Sequence, residues 1–173
     1  VFLNKGGKEI TVDQGDAQYD SEYKNLPYVK HFSDPQFSPN GNYLTYSMAG
    51  WEWSFGNIYD IQKNKIITGT VADALSDAHQ YGFTADEKNF YLCSSSRFSG
   101  SLAGAIYSVP GFKVEYNVFS DPRAKNFFGV DCAYDKNNNS ISYKLSDYED
   151  ENNPQKDKTL TLRYNLATHK VEE

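Results

Sequence analysis

Short runs of alternating hydrophobic and polar residues, separated by turn-forming residues, make up most of the chain. In the clearest run, Phe37 is followed by a Pro-Asn-Gly turn at residues 39–41 and then by the alternating residues 43–47. This pattern predicts a strand, a tight turn and a second strand. Residues 57–61 and 65–67 predict two more strands with another tight turn between them. No segment has the 3.6-residue period of an amphipathic helix, and residues 71–79 are predicted to form at most one helical turn.

This four-strand pattern occurs three times, with a period of about 45–50 residues. An aromatic residue begins each occurrence, first Phe37, then Phe83 and then Tyr134. Repeats of this length with four strands each are typical of propeller blades. We therefore predict an all-β, propeller-like array of three four-stranded antiparallel blades, at about residues 29–71, 72–119 and 120–173. The equivalent hydrophobic positions, predicted to be buried, are Phe37, Leu44, Tyr46, Ile58, Phe83, Phe90, Leu92, Ile106, Ile141 and Leu166.

Residues 1–28 precede the repeats and are predicted to form an N-terminal hairpin and a connector. The hairpin signal is the pair Gly6 and Gly7 between the two hydrophobic ends of residues 1–12. We expect this hairpin to pair with the edge of a sheet, because a two-stranded hairpin alone is marginally stable. Residues 145–158, which are acidic and contain a proline, are predicted to form a mobile loop.

Residues 37–47 and 57–66 resemble the WD40-like repeat of TolB-type and prolyl-oligopeptidase-type β-propellers. The core of that repeat is Phe-Ser-Pro-Asp-Gly-Lys, a strand, and then Ile-Tyr before a closing hairpin; residues 37–41 and 58–59 fit it. The second and third repeats keep the spacing and change the turn, at residues 83–86 and 135–139. The resemblance implies propeller blades. Since propellers close with about 4–8 blades, three arrangements are open: part of a larger propeller, an open array closed by association, or a divergent fold that uses the repeat.

Composition and charge narrow the class of partner. The net charge is −6 and the chain has 14 Tyr, 11 Phe and one Met. An acidic chain argues against a nucleic-acid reader, which carries a basic patch. The chain has no run of 18 apolar residues, so no membrane span is predicted. Because the chain does not begin with Met, we expect it to be processed or to be a piece of a longer one. Cys93 and Cys132 fall in adjacent repeats, so they could form a disulfide or remain two buried thiols, the latter being usual for free cysteines.

A Ser-Asp pair precedes the first strand of each repeat and includes Asp34, Asp77 and Asp121. In propeller topology this is the loop from an outer strand to the next inner strand, on the face that usually binds ligands. Three converging carboxylates could hold a cationic partner, with His79 beside Asp77 on the same loop face. The local alternative is that each Asp accepts a backbone N–H in its own turn, as Asp before Pro commonly does.

Two further segments are candidates for binding. Trp51 and Trp53 alternate with polar residues between the second and third strands of the first repeat, where they could stack on sugar rings or peptide side chains or pack between blades. Asp135 begins a segment with oxygen-bearing side chains at alternate positions. This segment fits a strand-to-strand turn better than a calcium loop, because it lacks the glycine at the sixth position and the bidentate Glu.

No motif predicts catalysis: the chain has no nucleophile elbow, no His-Glu-x-x-His zinc motif and no glycine-rich phosphate loop. We therefore predict a non-catalytic, extracytoplasmic scaffold that binds a protein or peptide, in particular a cationic one, without cofactor, metal or nucleic acid. Self-association is left open. The alternatives are a glycan-binding or glycan-processing propeller that uses Trp51 and Trp53, and a regulatory propeller fragment of a serine peptidase.

Overall fold

The computed structural model describes residues 2–5, 8–12, 31–49, 54–76, 78–94, 103–147 and 158–173. It is all-β, with three four-stranded antiparallel sheets in addition to an N-terminal hairpin, as predicted. The chain falls into two compact units, Val1–Ser76 and Asp77–Glu173. In each four-stranded sheet, strands that are consecutive in sequence are neighbours. This meander order is that of a propeller blade.

The first unit contains the hairpin, the first sheet and one short helix. The elements are β1 (Phe2–Lys5), β2 (Lys8–Thr11), β3 (His31–Phe37), β4 (Tyr43–Ala49), β5 (Ser54–Asp60), β6 (Lys65–Ile67) and α1 (Thr70–Ser76). The second unit contains the second and third sheets. Its strands are β7 (Ala78–Phe83), β8 (Asn89–Ser94), β9 (Gly104–Ser108), β10 (Lys113–Asn117), β11 (Gly129–Asp135), β12 (Ser140–Ser146), β13 (Thr159–Asn165) and β14 (Lys170–Glu172).

The turns between the first and second strands explain why the repeat motif is visible in the sequence. The buried Ser38 hydroxyl accepts the N–H of Tyr43 at 3.0 Å, and the Thr84 hydroxyl accepts the N–H of Asn89 at 3.1 Å in the equivalent turn. Each turn also contains a residue in the left-handed region: Gly41 at φ 72° and Glu87 at φ 55°. Glycine adopts this conformation without steric cost, which is why the first repeat matches the family motif best.

The predicted core is buried with two exceptions, Phe37 and Phe83. Phe37 is 59% exposed, and the prediction was wrong there. The equivalent Phe83 is half-buried because it packs on Phe90, with ring centroids 4.8 Å apart, and on Phe112 at 6.5 Å. In the first sheet Leu44 and Asn64 occupy the positions of these two aromatic partners, so Phe37 lies on edge strand β3 without them.

Helix α1 is longer than predicted, and β5 begins earlier. The seven residues Thr70–Ser76 form the helix, and strand β7 begins at Ala78. Phe55, which precedes the strand predicted at residues 57–61, is paired with Met48 in the β4–β5 ladder. Gly56 permits close contact between β5 and the helix, because a Cβ atom there would lie 2.4 Å from Leu75 Cγ.

The N-terminal hairpin is anchored by side chains. Among the described residues β1 and β2 pair only with each other, so the expected pairing with a sheet edge is not found. Val12 is buried in a cluster with Leu44, Tyr46 and Tyr59 of the first sheet. The hairpin therefore covers one face of that sheet without extending it.

The second and third sheets stack face to face in the second unit. Their shared core includes Ile106 and Val118 on one side and Ile141, Tyr143 and Leu162 on the other. Cys93 of β8 and Cys132 of β11 form a disulfide across this core, with their Cα atoms 5.9 Å apart. The disulfide decides between the two alternatives that the sequence left open.

Candidate functional site

The first strands of the second and third sheets, β7 and β11, approach each other near their N-terminal ends. His79 Nε2 lies 2.8 Å from Asp131 Oδ1, and the Gln80 side-chain oxygen accepts the N–H of Cys132 at 2.6 Å. The pairing of β7 with β8 changes register between Ala78 and Gln80. Such a bulge re-aims side chains, which explains how two successive residues of β7 both reach β11.

The His79–Asp131 pair is open to solvent. The His79 side chain is 34% exposed and the Asp131 side chain 61% exposed. His79 was a predicted binding residue, whereas Asp131 was not predicted from the sequence. The available signal was an Asp inside a strand pattern, since Asp is depleted in strands. The pair offers a carboxylate and an imidazole at the start of two adjacent edge strands, where they can hydrogen-bond to a donor-rich ligand.

Asp121 has a local role in the connection from β10 to β11. Its side chain accepts the backbone N–H of Arg123 at 2.9 Å and, through Oδ2, pairs with Arg123 Nη2 at 2.7 Å. It caps the short 3-10 turn Pro122–Ala124. The hydrogen bond from the Arg123 guanidinium holds the pKa of the Asp121 carboxyl below its usual range, against the effect of partial burial. Asp121 therefore fits the turn alternative.

The described residues do not test whether the other predicted binding residues converge. Asp34 is exposed on β3 with φ 53°, at a bulge between Ser33 and Gln36. It belongs to the first compact unit, and Asp121 belongs to the second. Asp77, Trp51 and Trp53 lie outside the described residues. The convergence of three carboxylates stays a prediction.

Asp135 forms a turn, in agreement with the turn that the sequence favoured over a calcium loop. Its Oδ1 atom accepts the N–H of Asn137 at 2.9 Å and of Asn138 at 3.2 Å. These two bonds use the carboxylate to close the β11–β12 hairpin, in the manner of an Asx-turn. Within the described part of the chain, no three His, Cys, Asp or Glu side chains are grouped so that they could hold a metal ion.

The comparisons with known proteins add a likeness in fold. No family model and no curated protein matches the chain. Among solved structures, TolB from Acinetobacter baumannii is 11% identical with a TM-score of 0.46, over 83% of this chain and 32% of that one. A protein designated TolB from Agrobacterium tumefaciens is 17% identical with a TM-score of 0.44, over 86% and 49%. Hydrazine synthase from Kuenenia stuttgartiensis is 13% identical with a TM-score of 0.48, over 79% and 40%.

The chain thus spans less than half of each of these solved chains. None of the helices in the described part of the chain is long and apolar enough to cross a membrane.

Proposed function

We propose that this chain is a non-catalytic, extracytoplasmic, propeller-like scaffold that binds a protein or peptide partner. The partner would contact the face where the connections between sheets enter the first strands. The observation that supports this is the exposed His79–Asp131 pair, at the start of β7 and β11. Polar side chains on the loops and strand ends of a rigid β-scaffold are where binding residues are usually found.

The charges favour a partner that carries Lys or Arg. Arg123, one of the two cations on the connection into β11, is paired with Asp121. Asp131 is 61% exposed, and its carboxylate contacts the His79 ring. The chain as a whole carries a net charge of −6, which would attract a cationic segment at low ionic strength.

The Cys93–Cys132 disulfide supports an extracytoplasmic location. Disulfides persist in oxidising compartments and are rare where thioredoxin and glutathione keep thiols reduced. This bond joins two sheets of one core, a position where it would stabilise a protein exposed to such a compartment.

The test is an arrayed peptide library in which half of the peptides contain Lys and Arg and the other half have those residues replaced by Gln. Binding to this library is measured for the wild type and for Asp131→Asn. Glu172→Gln is the matched control, because it removes one exposed negative charge from β14 of the same sheet. We expect Asp131→Asn to weaken binding of the basic peptides about tenfold and to reduce its salt dependence, with Glu172→Gln close to the wild type. Equal binding by all three proteins, or no preference for basic peptides, would reject this partner class.

A further inference from the structure

The third sheet has two faces of opposite character. Alternate residues of its central strands, among them Ile141, Tyr143 and Leu162, are fully buried against the second sheet. The residues that alternate with these on β11, β12 and β13 form what we call the outer face: Asp131, Ala133, Ser142, Lys144, Thr161 and Arg163. All of these are exposed except Ser142, which is half-buried.

The repeat shows what the outer face would need in order to carry another blade. Ile141 and Tyr164 occupy the positions of Phe90 and Tyr107 in the second sheet. In the second sheet, the residues equivalent to the outer face are therefore the ones that pack on the third sheet. Tyr91 contacts Tyr134, Cys93 forms the disulfide, and Ile106 lies in the shared core.

Polar residues replace these three contacts in the third sheet. Ser142 stands at the position of Tyr91, Lys144 at that of Cys93, and Arg163 at that of Ile106. A blade packed on this face would have to bury an ammonium and a guanidinium group, which is costly unless each meets a charged partner.

Cross-strand register places an acidic residue opposite each of these two cations on the same sheet face. Lys144 is directly opposite Asp131, and Arg163 is directly opposite Glu172. Opposite charges at paired positions stabilise a solvated sheet face, and a polar outer face is what terminal repeats of stacked arrays require for solubility.

We infer that the third sheet is the terminal blade of its stack, with an outer face that stays open to water in the whole protein. This face receives neither a further blade nor a second copy of the chain. The second sheet, by contrast, is buried on both faces: Phe90 and Tyr107 on one face and Tyr91 and Ile106 on the other are buried or half-buried. The inference does not depend on the proposed partner.

The test is thiol labelling in the full-length protein that contains this chain. Lys144→Cys and Thr161→Cys place a thiol on the outer face, and the two native cysteines are tied up in their disulfide. Thr168→Cys, in an exposed turn, sets the rate for a free thiol, and Leu162→Cys, next to Thr161 but facing the core, sets the rate for a buried one. Labelling is followed by peptide mass spectrometry at each introduced site.

We expect both outer-face thiols to react within about tenfold of the Thr168→Cys rate and Leu162→Cys to react at least about 100-fold more slowly. If Leu162→Cys does not fold, the Thr168→Cys rate alone is the reference. Protection of both outer-face thiols by about 100-fold or more would overturn the inference. Protection that is lost on dilution would identify a second copy on this face, and protection that persists would identify a further blade.

Discussion

Single polar side chains at strand ends organise the local structure, and they differ in how readily the sequence reveals them. Ser38 and Thr84 act within five residues of their partners, so the turn pattern predicted their place. His79 meets Asp131, which is 52 residues away, and only because a bulge re-aims β7. A contact of that kind depends on strand register, which no local pattern in the sequence specifies.

Asp121 and Arg123 give a prediction about pH. Because the pKa of Asp121 is lowered in the folded protein by the guanidinium of Arg123, the unfolded chain binds a proton more readily. The ion pair therefore adds stability above the ordinary Asp pKa of 3.8, and this contribution is lost as the pH falls through the lower pKa of the folded state. We expect Asp121→Asn to lower the melting temperature by a few degrees at most near pH 7, since an ion pair whose guanidinium is 40% exposed to solvent contributes little.

The difference from the wild type should shrink as the pH falls below about 4. Thermal unfolding of both proteins across this range measures it. Arg123→Gln should show the same convergence, and the double variant should add nothing further. A melting difference that is constant with pH would show that the ion pair does not contribute.

At the scale of elements, the strands could be predicted and the helix could not. Strands alternate and end at recognisable turns, so three sheets with the right strand order follow from residues 37–47 and their repeats. Helix α1 is only seven residues long, and isolated helices of that length are unstable in water. Packing of the buried Val71 and Leu75 stabilises it. The prediction that Phe37 is buried was wrong for a related reason. Burial at this position depends on the aromatic neighbours Phe90 and Phe112, which are present in the second sheet and not in the first.

Gly56 tests the packing of β5 against α1. In Gly56→Ala the new Cβ would lie 2.4 Å from Leu75 Cγ and 2.8 Å from the Leu75 backbone. The backbone cannot yield as a side-chain end can, so the helix must shift. Gly→Ala alone can stabilise by about 0.4–1 kcal/mol through the unfolded state, but overpacking costs about 1–3 kcal/mol. We therefore expect a net loss in the free energy of unfolding, measured with urea.

Gly111→Ala is the matched control for Gly56→Ala. Its nearest heavy atom would be Lys113 Cγ at 3.9 Å, an ordinary contact. We expect a change within about 0.5 kcal/mol. If Gly56→Ala were as stable as Gly111→Ala, α1 would not be held against β5 by this contact.

At the scale of the whole molecule, the sequence predicted blades but left the binding site open. Blade architecture comes from a repeated local pattern, which one sequence displays three times over. The candidate site combines side chains from two repeats, His79 and Asp131, and depends on how the second and third sheets meet. The disulfide also depends on how two sheets meet. The positions of Cys93 and Cys132 in adjacent repeats made a disulfide feasible, but only the stacking of the second and third sheets brings the two cysteines together.

The disulfide gives the last prediction, on the stability of the second unit. It closes a loop of 39 residues across the core of two sheets, and a loop of that length is expected to contribute about 4 kcal/mol at most through the entropy of the unfolded chain. The variant Cys93→Ala/Cys132→Ala should therefore unfold with a free energy about 2–4 kcal/mol lower than the oxidised wild type. Hydrogen exchange in β8 and β11 should accelerate, because these strands carry the two sulfurs. Reduction of the wild type is the internal control: a reductant should bring it to the level of the variant and leave the variant unchanged. A variant as stable as the oxidised wild type would mean that side-chain packing alone, including Ile106 and Leu162, holds the two sheets together.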